Sequence, residues 1–242
     1  MNEIESLYNV WHNDMHGDEA SNVLHLQDWH KDALQLSPDI RGKRVLEVGC
    51  GAGDFAFKLE EMGGLVVAID FSSEAIRIAN RKKEERRSNV TFLQGDACDL
   101  SLKDGTFDIV FSCECIEHVP QPKLAVKEMA RVLQRGGELI LSTENYSNAL
   151  LLSWLQSILL RKPFNSGVKV QPIEHFFVFP MIYKMFRDSN LRIKQTCAHH
   201  HVFMMLPRVH PHRFVVERFR NRILARMFKF LGRHWCFHAV KM

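Results

Sequence analysis

Val45-Leu46-Glu47-Val48-Gly49-Cys50-Gly51-Ala52-Gly53 is a short apolar strand that runs straight into a glycine loop. Small residues let the backbone come close to a ligand, here at the N-terminus of the helix that follows. The dinucleotide fingerprint GxGxxG is the rival reading, because it also joins a strand to a helix. In this loop the third glycine comes one place early, and Asp54 stands where that fingerprint needs glycine. The loop also follows an acidic residue, Glu47, which suits a ligand with a cationic end.

Working outward, the chain alternates strands and helices. The helix from Asp54 to Met62 stops at Gly63-Gly64. Leu65 to Ile69 is an unbroken apolar run, typical of a parallel strand buried on both faces. Ser73 to Arg87 reads as an amphipathic helix, then Val90 to Leu93 and Phe107 to Ser112 as strands. Pro122 to Gln134 is a helix with proline in its first turn, ended by Gly136-Gly137 before a fifth strand, Glu138 to Ser142. This rhythm predicts an α/β, Rossmann-like, doubly wound sheet with helices on both faces.

The flanks read differently. Residues 1–40 carry Trp11, His12, Trp29 and His30 and form an N-terminal helical region. The cofactor-binding core is expected over 41–145, and a helical cap insertion over 146–180, with an apolar helix from Ala149 to Leu160. Residues 181–242 hold the helix Met181 to Asp188, the strands Leu191 to Ala198 and Trp235 to Val240, and a long helix from Phe214 to Leu231. That helix has an apolar stripe (Val216, Phe219, Ile223) and a basic one (Arg218, Arg222, Arg226); packing is the simplest use of the first, and a solvated face of the second. The whole chain is expected to be a single domain.

Composition is that of an ordinary globular protein, 46% apolar and 25% charged. A net charge of +4 does not argue for a nucleic-acid partner. The six cysteines contain no CxxC pair and read as reduced, intracellular usage. No signal peptide is read, and the Ala149 to Leu160 stretch is shorter than the roughly 20 residues of a membrane span. A soluble, cytoplasmic protein is expected, with peripheral membrane contact left open.

Two more acids extend the site. Asp70 ends the second strand, where a carboxylate accepts hydrogen bonds from both hydroxyls of a ribose. Asp96 and Ala97 follow the third strand, where a carboxylate and an N–H suit an adenine edge. Singly, such acids are helix caps and turn residues; three at successive strand ends are far more specific. Glu47-x-Gly49-x-Gly51-x-Gly53, Asp70, Asp96-Ala97 and Phe107-Asp108-Ile109-Val110 resemble the successive motifs of class I S-adenosylmethionine-dependent methyltransferases. The resemblance implies a seven-stranded sheet whose last strand is antiparallel, a role that suits Trp235 to Lys241. It implies S-adenosylmethionine as cofactor, held by Glu47, Gly49, Gly51, Gly53, Asp70, Phe71, Asp96, Ala97 and Cys113.

After the fourth strand comes Cys113-Glu114-Cys115-Ile116-Glu117-His118-Val119-Pro120. If the chain turns helically here, Glu114, Glu117 and His118 share one face and make half of a divalent-cation site, such as one for Mg2+. His175, in Glu174-His175-Phe176-Phe177, is the candidate fourth ligand. This pattern resembles the O-methyltransferases of ubiquinone biosynthesis and the small-RNA 3′-end 2′-O-methyltransferases. It implies methylation of one hydroxyl of a vicinal pair, with a metal lowering the hydroxyl pKa. Alternatively His118 or His175 is the catalytic general base, or the Glu-His pair supports the cofactor pocket without metal. The expected substrate is a hydroxylated small molecule; a metal-free N- or C-methyltransferase and an RNA 3′-end enzyme are the alternatives. A non-catalytic cofactor-binding scaffold is set against the nearly complete motif set.

His199-His200-His201 has the look of a metal tract. On a strand, consecutive side chains point to opposite faces, so the three do not converge, and a solvated strand end is expected.

Overall fold

The computed structural model describes residues 3–16, 24–144, 173, 175, 177–202, 215–216 and 232–242. Its centre is a mixed sheet in the order β3-β2-β1-β4-β5-β8-β6-β7. The first five strands are β1 Arg44–Val48, β2 Leu65–Asp70, β3 Thr91–Gln94, β4 Phe107–Cys113 and β5 Leu133–Glu144. All pair in parallel. β8, Gly232–Lys241, slots antiparallel between β5 and β6, Leu191–Val202. The seven strands expected from the sequence are therefore present, with the last one antiparallel.

One expectation is corrected. Val215 and Val216, the start of the predicted Phe214 to Leu231 helix, form a two-residue edge strand, β7, antiparallel to the far end of β6. Valine is stiff at χ1 and favours extended backbone, and tertiary pairing overrides a weak helical period. The rest of that helix with its basic stripe, and the apolar helix Ala149 to Leu160, lie outside the described residues. The triple histidine, expected just after a strand ending at Ala198, lies within β6, which runs on to Val202.

The sheet is covered on both faces. On one side Val45, Phe111 and Ile140 pack against Phe55, Ala56 and Leu59 of helix α3, Asp54–Glu61, and Ala33 of α2, Asp28–Leu36. On the other, Leu46, Val110 and Leu141 meet Val126 and Met129 of α5, Pro122–Val132, and Ile182 and Phe186 of α6, Phe179–Asp188. Adjacent strand residues thus go to opposite cores, so the buried strands read as continuous apolar runs. α4, Ser73–Arg86, is capped by Ser72, whose Oγ accepts from the Ala75 N–H at 3.1 Å. Asp108 accepts from the Arg44 N–H at 2.8 Å and ties β4 to β1 at the sheet's far end, so this motif acid holds the strands rather than lining the cavity.

The remaining helix, α1 (Glu3–His16), lies across the carboxyl end of the sheet. Asn9 Oδ1 accepts from Ser72 Oγ at 2.7 Å and from the Glu74 N–H at 3.2 Å. Gln94 Nε2 donates to Glu5 at 2.8 Å, and Tyr8 donates to the His118 carbonyl at 3.0 Å. Those bonds span three elements and roof the cavity described next. Among the described residues, no helix is long and apolar enough to cross a membrane.

Candidate active site

A cavity of about 590 Å³ opens at the carboxyl ends of β1, β2, β4 and β5. Open α/β sheets bind ligands there because strand order reverses beside β1 and leaves a crevice. Glu47, Gly49, Gly51, Asp70, Phe71, Asp96, Ala97 and Cys113 all line it, together with Tyr8 and His12 of the α1 roof.

The glycine loop is shaped by left-handed backbone, which glycine adopts at little cost. Gly49 has φ +82°, and its N–H donates to the Ile69 carbonyl at 2.8 Å. Gly51 donates to Asp70 Oδ2 at 2.8 Å, while the other oxygen of Asp70 accepts from the Ser72 N–H at 2.9 Å. Asp70 therefore braces the loop and still has lone pairs for a ligand. Gly53 sits apart from the cavity wall. It is the N-cap of α3 at φ +85°, and a Cβ there would stand 2.7 Å from the Phe92 ring, so its work is the turn itself.

Glu47 is fully buried, and its Oε2 has no hydrogen-bond partner among the described residues. Burial pushes its carboxyl pKa well up, and the charges of Asp70 and Asp54 push it further. A cationic ligand group would relieve that cost. An orphaned buried carboxylate, a glycine cradle and two acids at neighbouring strand ends fit the cationic and nucleoside parts of S-adenosylmethionine.

The acceptor side departs from the sequence reading. The expected helical face of Glu114, Glu117 and His118 is not formed. Only Ile116–His118 turn, as a single 3₁₀ turn, and Glu114 precedes it at φ +49°, which breaks the helical spacing. Glu114 Oε1 accepts from Ser142 Oγ at 2.8 Å, whereas Glu117 Oε2 accepts from Thr143 Oγ1 at 2.9 Å. Ser142 and Thr143 are consecutive on β5 and point to opposite faces, so they draw the two carboxylates apart.

His175 is not on the cavity wall with the others. Its N–H donates to the Glu117 carbonyl at 2.7 Å, and its ring Nε2 bonds the Val119 carbonyl at 2.8 Å. It braces the 3₁₀ turn from outside. His118 faces inward. Its Nδ1 lies 2.8 Å from the Ile173 carbonyl and must carry the proton of that bond, which in the neutral ring puts the lone pair on Nε2, 3.9 Å from Glu117 Oε1. Among the described residues, the His, Cys, Asp and Glu ligand atoms that gather within 4.8 Å of one another belong to Glu114, Glu144 and His234.

Sequence reasoning did not place Tyr8, Trp29, His30, Glu144 or His234 here. Trp29 and His30 line the cavity; Trp29 stacks on His234 at 5.5 Å and His30 on Phe55 at 4.6 Å. Burial lowers the His30 pKa to about 4, so this ring is a neutral wall. A Trp-His pair beside an aromatic-poor polar stretch was the available signal, but it does not say which face is turned inward.

Glu117 gives a direct stability test. It is fully buried, and desolvation, then the charge of Glu114, raises its pKa from 4.5 to about 8. Between those values the folded protein holds a proton that the unfolded chain releases. The stabilisation is complete below the unfolded value and is lost as pH rises through about 8. Glu117→Gln copies the protonated form and keeps an oxygen for Thr143. Its melting temperature is expected to track that of the parent in acid and to exceed it by several degrees near pH ~9. An offset that does not change with pH would rule this out.

The sheet order, the antiparallel β8 and the row of acids around the glycine loop have the arrangement of the Rossmann-like methyltransferase fold. Residues 46–141 match the family described as "Methyltransferase domain". A demethylmenaquinone methyltransferase of Lactococcus lactis is 35% identical over 116 residues, 46% of each chain. A ubiquinone biosynthesis O-methyltransferase of Xanthomonas oryzae is 33% identical over 151 residues, 62% of each. The matches thus span only about half to three-fifths of those relatives' length. Among solved structures, a chain of the Haloferax volcanii complex between the Trm112 methyltransferase activator and a methyltransferase aligns with TM-score 0.65 and 20% identity, covering 98% of this chain and 97% of that one. A SAM-dependent methyltransferase of Aquifex aeolicus aligns with TM-score 0.61 and 18% identity, covering 97% and 98%. At those identities the structures speak for the fold alone.

Proposed function

We propose that this protein transfers the methyl group of S-adenosylmethionine to a hydroxyl oxygen of a small hydroxylated molecule. The observation that carries the cofactor half is the buried, unpartnered Glu47 Oε2 beside a glycine cradle braced by Asp70. The oxygen acceptor is supported by the name of the Xanthomonas relative and by the inward lone pair of His118 Nε2.

The chemistry needs little from the protein beyond placement. The cofactor, when bound, supplies an electrophilic methyl group on a cationic sulfur. A neutral hydroxyl is a weak nucleophile, so a base that takes its proton as the new bond forms speeds the step. The Nδ1 bond makes Nε2 the accepting nitrogen of the neutral ring, and His118 lines the cavity, so it is placed for that task. The roof formed by α1 and the aromatic wall of Trp29 and His30 exclude water and hold the acceptor near the methyl group.

Calorimetry should show S-adenosylhomocysteine binding, with no uptake of a nicotinamide dinucleotide. Labelled methyl transfer should then favour vicinal dihydroxy aromatics over amines and monohydroxy analogues in a panel of each. His118→Gln is expected to cut kcat by about 100-fold or more while leaving the product's Kd within about threefold. Methylation of the amine set alone, undiminished in the variant, would dismiss the reading.

A further inference from the structure

We infer that Tyr8 is a positioning residue for the base: its hydroxyl ties the α1 roof to the turn that carries His118 and so aims the His118 ring at the acceptor. The effect on rate rests on the proposed role of His118, though the effect on the ring does not.

The turn needs outside support. Ile116–His118 make a single 3₁₀ turn, too short to hold itself through cooperative hydrogen bonding. Three consecutive carbonyls there accept from distant parts of the chain. Glu117 accepts from the His175 N–H at 2.7 Å, and Val119 from the His175 ring at 2.8 Å. Between them, the His118 carbonyl accepts from the Tyr8 hydroxyl at 3.0 Å. His118 is therefore fixed at two points, its carbonyl by Tyr8 and its ring Nδ1 by the Ile173 carbonyl at 2.8 Å. With backbone and ring both held, the direction of Nε2 is set.

Tyr8 joins the two segments that hold the ring. Burial pushes its phenol pKa well up, and the Ile173 N–H, facing the same oxygen, opposes that only in part. The hydroxyl thus keeps its proton and remains a donor to the His118 carbonyl. One oxygen thereby meets both the turn and the stretch at Ile173 that receives the ring proton. Roof anchoring alone does not account for this bond. Asn9 already ties α1 to the start of α4, and Glu5 ties it to Gln94. The Tyr8 bond goes instead to the residue that carries the base. Displacing such a group by about 1 Å is enough to cost up to ~100-fold in rate.

The test compares Tyr8→Phe, His118→Gln and the double variant as full-length proteins, with S-adenosylmethionine and the vicinal dihydroxy aromatic that the panel selects. Tyr8→Phe keeps the ring and loses only the hydroxyl, so it should melt within a few degrees of the parent. Its kcat should fall about 10-fold, with the S-adenosylhomocysteine Kd within about threefold. In the His118→Gln background the same change should cost less than about twofold, because a residue acting through His118 has nothing left to aim. A second readout needs no activity. Nitrogen-15 spectra of histidine-labelled protein are taken at pH ~8.5, where an ordinary imidazole is neutral. The His118 signal, identified by its loss in His118→Gln, should show the Nδ1–H form in the parent and a mixture of both forms in Tyr8→Phe. An unchanged His118 signal would overturn the inference, and so would an equal loss of kcat in both backgrounds. Failure of Tyr8→Phe to fold would overturn it too, since Tyr8 would then be an anchor of the whole roof. Full activity of His118→Gln would strike the base reading alone, and the ring signal would still decide for or against Tyr8.

Discussion

Asp70→Asn should weaken S-adenosylhomocysteine binding by about 100-fold, although the two side chains differ by one atom type. The reason lies in what already surrounds the carboxylate. Gly51 N–H donates to one oxygen at 2.8 Å and Ser72 N–H to the other at 2.9 Å. An amide has one oxygen and one NH2, so whichever way it turns, a donor meets a donor. Gly51 belongs to the glycine loop and Ser72 caps α4, so the clash disturbs both walls of the crevice. The ribose hydroxyls expected to sit there lose a charged acceptor as well, and hydrogen bonds to charged groups are worth about 1.5–3 kcal/mol each. Weakening both to the strength of neutral hydrogen bonds, about 0.5–1.5 kcal/mol each, removes roughly 2–3 kcal/mol and gives the stated factor. The folded state should lose about 1–3 kcal/mol from the unmatched donor, visible as a lower melting temperature even without ligand. Calorimetric binding within a few-fold of the parent would show that Asp70 braces the loop but does not hold the nucleoside.

The same residue shows why the cofactor half was legible in the sequence. Glycine, proline and unbroken apolar runs are local signals, and from Lys43 to Cys113 they decide the backbone directly. Leu65 to Ile69 has no polar residue to offer a solvent face, so a parallel strand covered on both sides was the available solution. Strand-end acids then follow from where the strands stop. The acceptor half depends on facts no local pattern carries. Glu114 adopts φ +49°, rare for a residue other than glycine, so the i, i+3, i+4 spacing of Glu114, Glu117 and His118 never becomes a shared face. Glu144 and His234 are neighbours only because β8 returns between β5 and β6 in one particular register. Shifting that register by one residue would turn His234 to the opposite face. Tyr8 reaches the His118 carbonyl across 110 positions of sequence, a contact set by helix docking rather than by its neighbours.

Gly49→Ala should cost the fold about 3 kcal/mol and, with it, roughly 10 °C of melting temperature. Two separate penalties add. At φ +82° a Cβ strains the backbone by about 1–2 kcal/mol. The new methyl would also stand 2.6 Å from Cys115 Sγ and 2.7 Å from Cys115 Cβ, nearer than atoms tolerate. Rotating the thiol relieves the first contact but not the second, so the glycine loop or the 3₁₀ turn after β4 must move. Overpacking of that kind costs about 1–3 kcal/mol. Both segments line the cavity, and Gly49 N–H is held by the Ile69 carbonyl, so cofactor affinity should fall together with stability. A second substitution separates the two penalties. Cys115→Gly removes both offending atoms and leaves the nearest contact at the Cα, 3.9 Å away. In a double-mutant cycle the pair should therefore be more stable than the sum of the single variants by about 1–3 kcal/mol, with the strain share still missing. A coupling near zero would mean that backbone strain alone excludes alanine, and that Cys115 does not set how closely the loop and the turn approach.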